Sequence, residues 1–123
     1  MAADILSIDD EPGMLELIQL VVKKQGLTVQ GASSGEQGLS IMRESPPRLV
    51  LLDIMMPEMD GWDVYKQMKE DDNLKDIPVI IVTARKSSLE EIIARTRAGV
   101  DEYIIKPFSP SRLREVIQKA LEK

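Results

Sequence analysis

The stretch Leu49-Val50-Leu51-Leu52-Asp53 decides how this chain is read. Four consecutive apolar residues follow the break at Pro46-Pro47. The run is short and apolar on both alternating faces, the pattern of a strand buried on both sides of a parallel sheet. It ends on an aspartate, a group that a buried strand accepts only with partners. A second run of the same kind, Val79-Ile80-Ile81-Val82, ends on Thr83.

Working outward, Ile5-Leu6-Ser7-Ile8 reads as the first strand and Tyr103-Ile104-Ile105 as the last. Leu27-Thr28-Val29 is a more polar strand, suited to a sheet edge. Between them, apolar residues recur at helical spacing. Met14, Leu17, Ile18, Val21 and Val22 mark a first helix, with Pro12 at its start and Gly26 past its end. Ser34 with Gln37 has the form of a capping box before Leu39, Ile41 and Met42. Asp60-Gly61 opens a third helix carrying Val64, Tyr65 and Met68. Ser87 or Ser88 opens a fourth with Leu89, Ile92 and Ile93, which Gly99 ends. Ser109-Pro110 opens the last, with Leu113, Val116, Ile117 and Leu121. Strand and helix thus alternate five times. The expectation is an α/β fold: a five-stranded parallel sheet flanked by five helices, joined by right-handed crossovers. With no linker, repeat or low-complexity segment, residues 1–123 read as one domain.

Composition narrows the chemistry. The chain has 123 residues, no cysteine and no histidine. Disulfides, thiolate metal sites and the commonest general base are excluded, and the protein cannot carry a phosphohistidine itself. Its net charge of −5 gives no basic surface for phosphates, so direct nucleic-acid binding is not expected. No apolar run approaches a membrane span and no leader precedes the first strand, so a soluble cytoplasmic domain without membrane contact is expected.

In a parallel α/β sheet the site lies at the carboxyl ends of the strands. There the sequence places Asp9 and Asp10 after the first strand, Asp53 on the third, Thr83 on the fourth and Lys106 after the fifth. Singly, each has an ordinary explanation: a helix cap, a strand former, a surface charge. Together they crowd three carboxylates at one rim. Such acids repel one another, and a hard divalent cation such as Mg²⁺, with oxygen ligands, relieves the repulsion. A carboxylate beside Mg²⁺ and an ammonium is a suitable nucleophile for a phosphoryl group. Lys106 and the Thr83 hydroxyl would then hold the transferring oxygens.

These residues resemble those of the response-regulator receiver domains of two-component signalling. The resemblance rests on Ile8-Asp9-Asp10-Glu11-Pro12, on Leu52-Asp53-Ile54-Met55-Met56-Pro57-Glu58-Met59-Asp60-Gly61, on Val82-Thr83-Ala84 and on Tyr103-Ile104-Ile105-Lys106-Pro107-Phe108. It covers the whole chain and implies strand order 2-1-3-4-5, as in chemotaxis-type regulators. It further implies that Asp53 is the phosphoacceptor. Asp10, Asp53 and the Met55 carbonyl would ligate Mg²⁺, with Asp9 helping directly or through water. Thr83 and Lys106 would bind phosphoryl oxygens, and Thr83 and Tyr103 would form the switch. It implies a cis Lys106-Pro107 bond and a tight turn at Gly61.

The implied partners are a sensor histidine kinase or phosphotransfer protein, and a downstream effector or fused output domain. A homodimer formed on phosphorylation stays open. The output surface would be the fourth helix, last strand and last helix, including Arg95, Arg97, Tyr103 and Arg112. The last helix lacks the arginine-rich ending of receivers fused to winged-helix domains, which leans the reading toward a stand-alone or hybrid-derived receiver. Met55 and Arg85 stand two past Asp53 and Thr83. Neither can readily orient an attacking water, so slow autodephosphorylation is expected.

The same residues argue against rivals. A haloacid-dehalogenase-type phosphatase would want an acid where Met55 stands, so a turnover enzyme is not expected. A flavodoxin-like cofactor protein would want a hydroxyl- or glycine-rich loop where Asp9-Asp10-Glu11 stands. No Walker-type motif is present. The remaining alternative is a pseudo-receiver that only binds proteins.

Overall fold

A computed structural model of the chain describes residues 2–56, 61–84 and 102–122. The fourth predicted helix lies outside them, as do Met59, Arg85, Arg95 and Arg97. The described elements are β1 (Ile5–Ile8), α1 (Pro12–Lys24), β2 (Val29–Ala32), α2 (Gly35–Glu44), β3 (Leu49–Asp53), α3 (Gly61–Glu70), β4 (Val79–Thr83), β5 (Glu102–Ile105) and a C-terminal helix, Pro110–Leu121. The five strands form one sheet in the order β2-β1-β3-β4-β5, every pair parallel. That is the order the resemblance implies.

Alternation along each strand divides the core in two, because successive side chains point to opposite faces. On one face Leu6, Ile8, Val50, Leu52, Val79 and Ile81 meet α2 and α3 through Leu39, Met42, Val64, Tyr65 and Met68. On the other, Ile5, Leu49, Leu51, Ile80, Val82 and Ile104 meet α1 and the C-terminal helix through Ile18, Val21, Val22, Leu113, Val116 and Ile117. β3 and β4 are buried along their whole length. A buried branched side chain contributes about 1.5–3 kcal/mol, so this double layer holds the strand ends in place.

Two local readings shift. The second strand runs Val29–Ala32. Thr28 is occupied before it, donating its backbone N–H and its hydroxyl to the Asp4 carboxylate. The cap of α2 is also offset. The Ser34 hydroxyl accepts from Gln37 N as expected, at 3.1 Å, but the Gln37 amide oxygen accepts from Ser33 N, at 2.8 Å, one residue earlier. Elsewhere Pro12 opens α1, Gly26 follows it at φ +80°, and the Ser109 hydroxyl caps the C-terminal helix by accepting from Arg112 N. Among the described residues no helix is long and apolar enough to cross a membrane.

Candidate functional site

The parallel register brings the strand ends to one rim. Asp53 is the last residue of β3 and pairs with Val82, one residue before Thr83. Beyond β5, the Lys106 backbone N–H donates to the Thr83 carbonyl at 2.7 Å, and on the far side the Asp9 N–H donates to the Ala32 carbonyl at 3.0 Å. These bonds carry the sheet one residue past β5 and β1 and hold Lys106 and Asp9 at the same rim as Asp53. Asp9, Asp53 and Thr83 are buried, at 1 %, 2 % and 0 % exposure.

The Lys106 ammonium is the hub. It donates to Asp9 Oδ2 at 2.9 Å, to Glu11 Oε1 at 3.1 Å and to Asp53 Oδ2 at 3.4 Å. The other oxygens are held by backbone: Asp9 Oδ1 accepts from Glu11 N and Asp53 Oδ1 from Met55 N, both at 2.9 Å. Burial pushes the Asp53 carboxyl above the usual carboxylate range, and the Asp9 charge pushes the same way; the Met55 N–H and Lys106 oppose this without prevailing. Burial works against the Lys106 ammonium, but the bonds to Asp9 and Glu11 and the Asp53 charge outweigh it and raise its pKa well beyond the usual lysine range. The pair is thus a firmly protonated lysine beside an aspartate reluctant to ionise.

Asp9, Asp10, Glu11 and Asp53 each offer a carboxylate oxygen, all within 4.8 Å of one another. Four acids against one ammonium leave excess negative charge, and an all-oxygen donor set suits a hard divalent cation. The chemistry of the donors fits Mg²⁺. Glu11 was not singled out from sequence, because nothing local shows a side chain reaching a lysine 95 residues away.

Behind the rim, Gly61 comes so close that a Cβ there would lie 2.5 Å from the Asp53 carbonyl oxygen and from Ile54 Cα. Backbone atoms cannot step aside as a side chain can, so only glycine fits. Its N–H donates to the Ile54 carbonyl at 3.3 Å, closing the loop after Asp53. Close approach alone requires glycine at this position; the residues of the expected turn before it lie outside the described residues. Met55 is 46 % exposed beside Asp53, whereas Met56 is buried in the core. Tyr103 is half-buried and packs against the α2–α3 side of the core. The Lys106-Pro107 bond is cis.

The profile of the response regulator receiver domain family matches residues 5–118. The chain belongs to that family. Receiver domains of two-component systems form a signalling family whose members are not ordinarily turnover enzymes. The chain is 34 % identical over 113 residues to the DNA-binding response regulator MtrA of Mycolicibacterium smegmatis, covering 92 % of this chain and 48 % of that protein. It is 33 % identical over 119 residues to the transcriptional regulatory protein AfsQ1 of Streptomyces coelicolor, covering 94 % and 51 %. The chain spans about half the length of the curated relatives it matches. Among solved structures, the receiver domain of NtrX from Brucella abortus superposes with a TM-score of 0.88 at 29 % identity, covering 98 % of this chain and 99 % of that one. The chemotaxis protein CheY4 of Vibrio cholerae shares the fold, with a TM-score of 0.86 at 23 % identity, covering 98 % and 100 %.

These relatives correct one expectation. Direct nucleic-acid binding was excluded from the acidic charge, yet MtrA is a DNA-binding regulator and AfsQ1 a transcriptional one. The physical reason is one of scope. A charge of −5 describes the field of these 123 residues alone, and a protein about twice as long can carry a basic surface elsewhere.

Proposed function

We propose that residues 1–123 act as one receiver domain in the cytoplasm, a switch that takes a phosphoryl group on Asp53 from a phosphohistidine of a sensor kinase or phosphotransfer protein. The carrying observation is the buried Asp53 carboxylate with Lys106 at 3.4 Å inside a cluster of four acids. No structural need explains burying Asp9 and Asp53 beside two further acids.

In the proposed step an Asp53 oxygen bonds to phosphorus as the bond to the donor's imidazole nitrogen breaks. The electron pair leaves on that nitrogen, which takes a proton from solvent. Asp53 Oδ2 is the natural nucleophile, since its single contact with Lys106 is long while Oδ1 is fixed by Met55 N. Asp10, Asp53 and the Met55 carbonyl, with Asp9, would hold Mg²⁺. When bound, the cation would neutralise charge on the phosphoryl oxygens and keep Asp53 ionised. Lys106 and Thr83 would bind those oxygens. Thr83 and the half-buried Tyr103 would carry the change to the surface of β5 and the C-terminal helix, which a downstream effector or an output domain would read. Met55, exposed beside Asp53, would crowd the approach of water and make the phosphoryl group long-lived; Met55→Asn should shorten its life.

Intact mass after incubation with acetyl phosphate, with and without Mg²⁺ and beside Asp53→Asn, tests this. A gain of one phosphate that needs both Mg²⁺ and Asp53 is expected. No gain in folded protein would leave a module that only binds proteins.

A further inference from the structure

We infer that Glu11 is a positioning residue: in the resting protein its carboxylate tethers the Lys106 ammonium toward β1 and so restrains phosphoryl acceptance at Asp53. The inference rests on the reading of Asp53 as phosphoacceptor.

An ammonium has three N–H donors, and Lys106 has three carboxylate partners. The two on the β1–α1 side are the nearer, Asp9 at 2.9 Å and Glu11 at 3.1 Å; Asp53 is the farthest, at 3.4 Å. Lys106 therefore leans away from the group it would serve. Glu11 stands at the N-cap position of α1 but makes no side-chain cap hydrogen bond. Its carboxylate has no local task and is committed instead to a lysine 95 residues away.

The two tethers differ in how they can let go. The Asp9 side chain is 2 % exposed and the Glu11 side chain 64 %. Releasing Asp9 would strand a buried carboxylate, whereas water takes over Glu11 at little cost. A phosphoryl oxygen on Asp53 needs a Lys106 donor, and Glu11 is the partner that yields it. Glu11 thus stabilises the resting state more than the phosphorylated one. Its removal speeds acceptance and leaves the later loss of the phosphoryl group unchanged.

Three variants of the full chain separate tether from charge, each followed by intact mass in acetyl phosphate and Mg²⁺. In that reaction the Asp53 oxygen–phosphorus bond forms as acetate leaves with its electron pair. Glu11→Gln removes the charge. Glu11→Asp keeps the charge but is one methylene too short to reach. Glu16→Gln removes an exposed acid elsewhere on α1. Both Glu11 variants should accept phosphate about two- to fivefold faster than the parent, the range an exposed ion pair supports. Decay after donor removal should match the parent, Glu16→Gln should match it throughout, and added salt should shrink the difference. A Glu11→Asp rate equal to the parent's, or a Glu16→Gln rate equal to that of Glu11→Gln, would reduce the effect to bare charge and overturn the inference. Parent-like rates in all three overturn it as well, while leaving Asp53 as acceptor intact. A parent chain that gains no phosphate removes both.

Discussion

The two ends of the sheet each set an aspartate beside a cation, and they treat it in opposite ways. Asp4, just before β1, turns its carboxylate to donors: Thr28 N at 2.9 Å, the Thr28 hydroxyl at 3.1 Å and Arg48 at 3.5 Å. Its backbone carbonyl accepts from Arg48 N and Leu49 N, so it ties together the starts of β1, β2 and β3. The Thr28 backbone bond leads in lowering its pKa, and with the Thr28 hydroxyl and Arg48 it outweighs the opposing cost of burial. Asp53, at the other end of the same sheet, is buried among other acids, and its pKa is raised. The end that surrounds an acid with donors is a fastening. The end that surrounds an acid with acids holds its charge at a cost that a cation or a phosphoryl group relieves.

The largest expected effect breaks the comparison outright. Asp53→Asn should abolish the phosphate gained in intact-mass measurements, while Asp4→Asn should leave it unchanged. Without metal, the two should move stability in opposite directions in urea melts. Asp53→Asn should raise stability by removing a carboxylate that burial makes reluctant to ionise. Asp4→Asn should subtract about 1 kcal/mol by weakening the bonds to Thr28.

Lys106→Met comes next. It leaves buried Asp9 and Asp53 without their ammonium and should cost about 3 kcal/mol at neutral pH in metal-free protein. Added Mg²⁺ should recover part of the loss, measurable as a larger metal-induced rise in Tm than in the parent. Gly61→Ala follows. Its Cβ would press on the Asp53 and Ile54 backbone, and overpacking of this kind costs about 2 kcal/mol. A loss below about 0.5 kcal/mol in denaturant melts would mean that the loop yields and does not brace Asp53.

The smallest effect is in pH dependence, and its sign sharpens the contrast. Asp53 holds its proton longer folded than unfolded, so its share of stability falls as pH rises from the unfolded carboxylate pKa toward its raised folded value. Asp4 ionises more readily folded, so its share is present above the unfolded value and is lost as pH falls through the lowered one. Metal-free melts between pH 3 and about 7 should therefore lose the downward slope with rising pH in Asp53→Asn and lose the acid-side decline in Asp4→Asn. The same slope in both variants would erase the distinction between the two rims.

Much of this was open to a reader of the sequence alone. Periods of 2 and 3.6 are local properties, so the apolar runs 49–52 and 79–82 and the helical spacing of Val64, Tyr65 and Met68 predict buried strands and an inward helix face without knowledge of any neighbour. Parallel strands then send Asp9, Asp53, Thr83 and Lys106 to one rim, because every carboxyl end points the same way. The four motifs predict the family, and the family implies the strand order that the sheet shows.

Tertiary structure alone decided the rest, since reach and burial are distances between residues far apart in the chain. Glu11 reads as one more acid after a strand until Lys106 is seen 3.1 Å away. Gly61 reads only as a turn residue until the Asp53 carbonyl oxygen is found 2.5 Å from where its Cβ would stand. Asp4 and Asp53 are the same letter in the sequence. Only the packing around each decides which carboxylate stays partly exposed among donors and which is buried beside other acids.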